Sequence, residues 1–254
     1  MPLNVLPLTA TVPRVTLFRD VLWEVARRNN AFPEEDGLGR GMAAQMAGAI
    51  NSCYRYCYQF YDWPESVRID RVVLNAHPVT GTPWMPRTFL LNYLNYGRIF
   101  GVYDRHPLAD EGAKLVNYRH GPDGVYFDTE EPVWVHFRPD VIKFTAEEWD
   151  ETRAYPAYPE DSRVYYPVDG NCYRWKYNTA TTPGQAPDGF YWEVIPFLTI
   201  LFEAVVAGAH AMTKATEGQA GTATAVERMM IEHLEQELMQ MTLQEGQAKF
   251  LRVA

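Results

Sequence analysis

The feature that most constrains the fold is the apolar run at residues 196–212, Pro-Phe-Leu-Thr-Ile-Leu-Phe-Glu-Ala-Val-Val-Ala-Gly-Ala-His-Ala-Met. The run opens with proline at a first-turn position and is apolar on nearly every face, which predicts a helix buried on all sides. A membrane-spanning helix needs about 20 apolar residues. Because Glu203 and His210 interrupt this run, the sequence predicts a buried helix and no membrane partner.

Small side chains recur along one side of this predicted helix at a spacing of four residues, so another helix can approach that side closely. Two interpretations stay open: packing in the core of one chain, or contact between copies of the chain. A helix that is apolar on all sides is hard to bury within one small domain, which favours contact between copies. The predicted oligomer interface consists of Ala204, Gly208, Ala211 and Met212.

Gly218 and Gly221 are predicted to form the turn of a helical hairpin, and a second C-terminal helix is predicted after them. Thr224 and Glu227 have capping-box spacing, in which each side chain satisfies the backbone N–H of the other residue. The predicted helix has one apolar and one acidic face, and residues 244–254 lose this pattern and are expected to leave the helical region. The acidic face is formed by Glu227, Glu232, Glu235 and Glu237.

Two further helices are predicted near the N-terminus. After an extended arm with spaced prolines at residues 1–13, Thr16 is positioned to cap a helix that ends near Arg28. The next predicted helix covers residues 42–62 and is ended by the Trp-Pro pair that follows it. Together with the C-terminal hairpin, these two helices are predicted to form a helical bundle.

The middle of the chain has the β-branched and aromatic composition of strands. Predicted strands cover residues 67–74, 97–103, 114–118, 125–128 and 133–138. The predicted fold class is therefore α+β: a helical bundle with a β-rich insertion that contains a small all-β module. The predicted domains are a helical domain at 1–64 and 195–254, a β-rich insertion at 65–143 and the small module at 144–194.

Composition and motifs narrow the function. The chain has 254 residues, of which 47% are hydrophobic, and a formal net charge of −9, which argues against a protein that coats nucleic acid. No P-loop, GxSxG or HExxH motif is present, so we predict no enzyme, no catalytic residue and no cofactor. Cys53 and Cys57 are four residues apart, but no second His or Cys pair completes a metal site, which favours two buried thiols. The first residues lack the basic and apolar parts of a signal peptide, which predicts synthesis in the cytoplasm.

Three patterns accompany this order of elements: Tyr-Asp-Trp-Pro-Glu at residues 61–65, Val-Trp-Val-His-Phe-Arg-Pro at 133–139, and the small-residue helix that leads to Glu-Gly-Gln at 217–219. Together they resemble the head-to-tail adaptor, or connector, proteins of tailed bacteriophages over nearly the whole chain. The resemblance implies a virion protein of the neck, made in the host cytoplasm, whose helical domain forms a dodecameric ring below the portal protein. The ring would extend the DNA channel and dock tail or neck proteins. Double-stranded DNA would pass without specific binding. The four glutamates are candidate channel-lining residues because like charge repels phosphate, and a solvated outer face is the alternative for them.

The small module carries a second pattern, formed by Trp149, Tyr155, Val164-Tyr-Tyr166, Cys172-Tyr173, Tyr177, Thr182-Pro-Gly184, Pro187 and Trp192. This spacing resembles the small chitin-binding type of carbohydrate-binding module found on bacterial hydrolases. The resemblance implies sugar stacking at Tyr177 and Trp149, although Asn178 stands where the family often has another aromatic residue. The alternative function is therefore a soluble carbohydrate-binding protein for a chitin-like polysaccharide. Because the module's aromatic residues are close in sequence, we expect residues 145–192 to be separable from the helices.

Overall fold

The computed structural model describes residues 16–31, 40–86, 96–141, 143–155, 163–175, 181, 183–187 and 191–251 of the chain. Its helices are α1 (Phe18–Arg28), α2 (Arg40–Phe60), α3 (Phe202–Thr216) and α4 (Ala220–Leu251), and short 3-10 helices cover Pro64–Ser66 and Thr199–Leu201. Its strands are β1 (Arg68–Val72), β2 (Asn75–Ala76), β3 (Pro83–Pro86), β4 (Tyr96–Tyr103), β5 (Tyr118–His120), β6 (Gly124–Phe127), β7 (Val133–Pro139), β8 (Arg163–Tyr166), β9 (Asn171–Trp175) and β10 (Trp192–Val194).

The strands pair into antiparallel sheets with the orders β1-β7-β4, β2-β3-β6-β5 and β8-β9-β10. Along β7, buried and half-buried side chains alternate from Val133 to Pro139, as expected for a strand with one face on a core. The first two sheets share that core, to which both contribute apolar side chains. Its buried members are Val72, Met85, Val102, Val125, Phe127, Val133, Val135 and Phe137.

Helix α3 lies at the centre of the helical layer and contacts α1, α2 and α4. A Cβ atom at Gly208 would lie only 2.6 Å from Met230 Sδ and 2.9 Å from Cys53 Sγ, so glycine allows α2 and α4 to approach α3 closely. Residues 204–209 of α3 are all buried. The apolar character of α3 is therefore satisfied by helices of its own chain. In the described part of the chain, no helix is long and apolar enough to cross a membrane.

The prediction of a helical bundle that carries one β-rich insertion is wrong. The chain is α+β, but its middle forms three antiparallel sheets in the described residues, and the helices do not enclose a core of their own. Phe144, Cys172 and Ile195, which come from the middle of the chain, are buried in the same cluster as the helix residues. The apolar spacing of a helix identifies the face that is buried, but it does not identify what covers that face. Here the N-terminal helices pack partly on these middle segments.

Four predicted helix boundaries also differ from the structure. Thr16 does not cap α1: Leu17 is the N-cap residue, and Thr16 Oγ1 instead donates a hydrogen bond to Thr199 Oγ1 (2.9 Å). The capping box is absent, because Thr224 lies inside α4 and its hydroxyl donates to the carbonyl of Ala220 (3.0 Å). Helix α4 continues through Gly221 and extends to Leu251, so the predicted end of helix before residue 244 is wrong. At the other end of the hairpin, α3 begins at Phe202 and not at the predicted proline.

The third sheet has a small core of its own and is also joined to the helices. Its own buried residues are Tyr155, Val164, Tyr173, Trp175 and Trp192. Outside this cluster, the N–H of Arg19 donates to the carbonyl of Gly170 (2.9 Å), and the N–H of Ile195 donates to the carbonyl of Cys172 (2.8 Å). Cys172 is fully buried among the helix residues. Removal of residues 145–192 would therefore remove a core side chain, which argues against a freely separable module.

We predict that Phe144→Ala lowers the free energy of unfolding by about 3–5 kcal/mol, because a buried aromatic ring is lost and the cavity that it leaves cannot fully close. The measurement is urea denaturation followed by tryptophan fluorescence and circular dichroism. Phe60→Ala is the matched control: Phe60 is 39% exposed, so its loss should cost less than about 1 kcal/mol. Equal losses in the two variants would show that Phe144 does not hold the middle of the chain on the helices.

Candidate functional site

Several side-chain hydrogen bonds meet at the point where α2 ends and the first sheet begins, and we call this point the junction. Trp63 is fully buried there, and its indole Nε1–H donates to the carbonyl of Cys57 (2.8 Å), one of the last carbonyls of α2. Pro64 follows and opens a 3-10 helix. The indole thus closes the end of α2, and the proline turns the chain toward β1.

Asp62 connects the end of α2 to two strands of the first sheet. Its Oδ1 accepts from Arg138 Nη1 on β7 (2.7 Å) and its Oδ2 accepts from Arg98 Nη1 on β4 (2.8 Å). Arg138 Nη1 also donates to the carbonyl of Tyr61 (3.0 Å). One carboxylate therefore joins a helix end to adjacent strands through charge-assisted hydrogen bonds.

Tyr58 completes the junction one helical turn earlier. Its hydroxyl donates to the carbonyl of Pro139 (2.9 Å), and the guanidinium of Arg138 lies 5.4 Å from the centre of its ring. Burial raises the pKa of Tyr58 to about 12, although the charge of Arg138 opposes this shift. The phenol therefore stays protonated and keeps its role as a hydrogen-bond donor. The junction fixes geometry and presents no activated nucleophile.

The cysteines likewise offer no chemistry at neutral pH. Burial raises the pKa of Cys53, Cys57 and Cys172 to about 12, so all three remain thiols. Among the described residues, no group of three or more His, Cys, Asp or Glu side chains is arranged to hold a metal ion. The Sγ atom of Cys53, a residue of the helical core, instead lies 3.4 Å from Sδ of the partly exposed Met212.

His77 and Asp123 form the closest histidine–carboxylate pair in the described residues, and sequence reasoning did not identify it. His77 Nε2 lies 2.7 Å from Asp123 Oδ2, and the hydroxyl of Tyr126 donates to Asp123 Oδ1 (2.8 Å). The other ring nitrogen, Nδ1, accepts from the backbone N–H groups of Val79 and Thr80. Both ring nitrogens are thus engaged in holding a turn, and neither is available for proton transfer to a substrate.

Trp149, one of the two predicted sugar-stacking residues, lines an open groove of about 790 Å³ between α2 and residues 144–153. Its ring is half-buried and meets Tyr166 edge-on at 5.9 Å. The groove also presents Asn51 and Thr145, with carboxylates and Arg153 along its side. Tyr177, the other candidate, lies outside the described residues.

The predicted oligomer-interface residues do not form one accessible surface. Ala204, Gly208 and Ala211 are buried within the chain, whereas Met212 is 41% exposed. The small side chains therefore serve the packing of α3 on its neighbours. Only Met212 of the four is accessible to a second copy.

The four predicted channel-lining glutamates do not share one face of α4. Glu227, Glu232 and Glu235 are exposed, whereas Glu237 is half-buried and lines a groove beside Thr16. Glu237 also lies near Glu65, whose pKa is raised first by desolvation and then by this neighbouring charge. Only the three exposed glutamates are placed to meet a ligand outside the chain.

In comparisons with known proteins, neither a protein-family model nor a curated protein matches the chain.

We predict that Asp62→Ala lowers the free energy of unfolding by about 2 kcal/mol, because it leaves the Arg138 guanidinium, only 13% exposed, without its carboxylate. Asp110→Ala is the matched control, because it removes a solvent-exposed Asp–Arg pair in which Arg105 is 63% exposed, so its loss should be clearly smaller. Urea denaturation of both variants measures the difference. A loss at Asp62 no larger than that at Asp110 would mean that the junction contributes no more than a surface ion pair.

Proposed function

We propose that the chain is a structural subunit of the neck of a tailed bacteriophage, a head-to-tail adaptor that forms a ring below the portal protein. The observation that carries this proposal is the junction. Two of the three patterns on which the resemblance rests, at residues 61–65 and 133–139, are far apart in sequence and contact each other there through Asp62 and Arg138. Because these two segments bond to each other, we expect them to act as one structural unit.

The physical character of the junction also suits a connector. A subunit in a ring that joins two other assemblies must hold its contact surfaces at a fixed relative orientation. The junction ties α2 to β4 and β7 by side-chain bonds from Asp62 and Tyr58, in addition to the peptide chain itself. These bonds resist rotation of the helices relative to the sheets. The contacts of His77 hold a turn, and the contact of Cys53 with Met212 packs helices together.

Contacts between copies would use the outer faces of the helices, because the chain itself covers α3. Large apolar side chains are exposed on these faces, and aromatic residues and methionines of this kind are enriched at protein interfaces. Tyr56 and Phe60 form an adjacent pair on α2, with ring centres 6.2 Å apart. Among the helix residues whose exposure the structure describes, the exposed large apolar side chains are Trp23, Met42, Tyr56, Phe60, Met212, Met229 and Met239.

Helix α4 is the element best suited to the channel wall in this proposal. It has 32 residues and is about 48 Å long at 1.5 Å per residue, far longer than the 15-residue α3 against which it packs. Glu232 and Glu235 are exposed on it, and the chain as a whole has a net charge of −9. Like charge along the wall would keep DNA from binding during its passage.

Assembly tests the proposal directly. We expect the full chain, alone or mixed with the portal protein of the same particle, to form closed dodecameric rings that mass photometry and electron microscopy detect. The double variant Tyr56→Glu, Phe60→Glu should remain monomeric, because it places charge on the aromatic pair. Val79→Glu, at an 85% exposed position on a turn, should assemble normally.

Thermal unfolding of the double variant distinguishes a lost contact from a lost fold. A wild-type chain that stays monomeric both alone and with portal protein would contradict the proposed function. A ring reconstruction that places Glu232 and Glu235 away from the lumen would contradict their channel role while leaving the ring itself in place.

Sugar binding is a second candidate function, favoured by the position of Trp149 in the open groove. An aromatic face beside amide, hydroxyl and carboxylate groups is the usual composition of a site that orients a polar ligand. We expect soluble chitin oligosaccharides to bind in isothermal titration calorimetry, and Trp149→Ala to weaken binding at least tenfold, which corresponds to about 1.4 kcal/mol. Trp23→Ala, which removes a 48% exposed tryptophan on α1, is the control. No binding by the wild type at millimolar sugar would reject this function.

A further inference from the structure

A cavity of about 50 Å³ lies beside the junction, between the end of α2, the start of β1 and the segment before α3. Tyr54 and Tyr58 of α2 line it on one side, and Ile195 and Leu198 line it on another. One ordered water needs only about 10–15 Å³ of such space, so the cavity can hold a ligand of several non-hydrogen atoms. We call it the interlayer cavity, because it separates the helical layer from the first sheet.

Side chains of opposite charge line the interlayer cavity without pairing. Arg68 of β1 contributes a guanidinium, and Glu65 and Asp140 contribute carboxylates. Among the described residues, no ion pair joins Arg68 to a carboxylate, and none joins Glu65 or Asp140 to a cation. Opposite charges that share one cavity but do not reach each other leave space for a ligand that carries both.

The hydroxyl of Tyr54 adds a buried donor to the interlayer cavity. Tyr54 is only 4% exposed, and burial raises its pKa, so the phenol keeps its proton at neutral pH. The backbone of Leu198 bonds to the phenol oxygen and lowers the pKa, as an N–H donor does. The proton of the hydroxyl therefore has no acceptor within the described part of the chain. A buried donor without an acceptor costs free energy, which a ligand oxygen would recover.

Two further hydroxyls offer acceptors only. The hydroxyl of Ser66 donates to the carbonyl of Trp63 (2.7 Å), and that of Tyr58 donates to the carbonyl of Pro139 (2.9 Å). Each has thus used its proton and keeps oxygen lone pairs toward the cavity. Loss of solvent raises the pKa of Glu65, and an approaching cation would offset this cost. Acceptors and negative charge thus lie in the same cavity as the guanidinium and the phenol donor.

We propose that the interlayer cavity binds a small zwitterion of about the size of glycine. Its carboxylate accepts hydrogen bonds from Arg68 and from the hydroxyl of Tyr54, and its ammonium donates to Glu65 and Asp140. An anion alone would meet two carboxylates, and a cation alone would meet the guanidinium, so a ligand with both charges complements the cavity best. The inference does not rest on ring formation, because all of these residues belong to one chain.

Equilibrium dialysis of the full chain against radiolabelled glycine tests this assignment. We expect saturable binding at millimolar glycine. Arg68→Met should weaken it roughly tenfold or more, because the charge-assisted hydrogen bonds to the carboxylate are lost. Arg71→Met is the matched control: Arg71 is an exposed arginine of the same strand that does not line the cavity, so binding should equal that of the wild type.

Tyr54→Phe keeps the buried ring and removes only the hydroxyl, so this variant should fold and still bind glycine severalfold more weakly. Circular dichroism of each variant verifies the fold. Glycolate carries a carboxylate without an ammonium, and methylamine carries an ammonium without a carboxylate. Each should displace labelled glycine far less effectively than unlabelled glycine does.

Three outcomes would overturn the inference. The first is no saturable binding by the wild type at millimolar glycine, which would leave only water in the cavity. The second is equal binding by the Arg68→Met and Arg71→Met variants, which would place glycine elsewhere on the chain. The third is displacement by glycolate or methylamine as effective as that by glycine, which would show that one charge alone is recognised.

Discussion

The packing of Phe144 is the interaction on which the rest of the structure depends. The side chain of Asn51 on α2 bonds to both backbone groups of Phe144: its Nδ2 donates to the carbonyl (2.8 Å) and its Oδ1 accepts from the N–H (2.7 Å). The phenyl ring stacks on Phe18 of α1 at 5.0 Å and meets Tyr54 of α2 edge-on at 5.1 Å. Phe197, just before α3, lies 5.5 Å away. A single residue of the middle segment thus contacts the N-terminal helices and the segment before α3. Aromatic contacts of this kind add specific geometry to the burial of apolar area.

The junction serves the same purpose at the other end of the middle segment. Phe144 fixes the chain after β7, and Asp62 fixes it before β1, so the first two sheets are held against the helical layer from both sides. The two attachments differ in physical kind. Phe144 acts through burial, which has little directional preference, whereas Asp62 acts through charge-assisted hydrogen bonds that require defined angles. Together they hold the helices and sheets at a fixed relative orientation, which is the property that the proposed role as a connector would need.

Sequence reasoning located much of this structure but interpreted some of it incorrectly. It identified the end of α2 at the Trp-Pro pair and the alternating strand at residues 133–138, which are two of the three elements that meet at the junction. It did not pair Asp62 with Arg98 and Arg138, because ion-pair partners on separate elements have no fixed sequence spacing. The small residues of α3 were assigned to contacts between copies, yet Gly208 is enclosed by Met230 and Cys53 of its own chain. For the glutamates, periodicity suggested one acidic face, but Glu237 turns toward the interior side of α4.

The sequence by itself determined that both ends of the described chain are helical and that the middle is mostly strands, because these follow from local backbone preferences and from the 3.6-residue and two-residue periods. It also determined that α3 must be buried. Only the tertiary structure decided what buries α3, namely three helices of the same chain, and how the strands divide into three sheets. The physical reason is that burial is not directional. An apolar face is stabilised by any apolar surface of suitable shape, and the choice among such surfaces depends on chain connectivity, side-chain volume and the few directional bonds, such as those of Asn51 and Asp62, that only one arrangement satisfies.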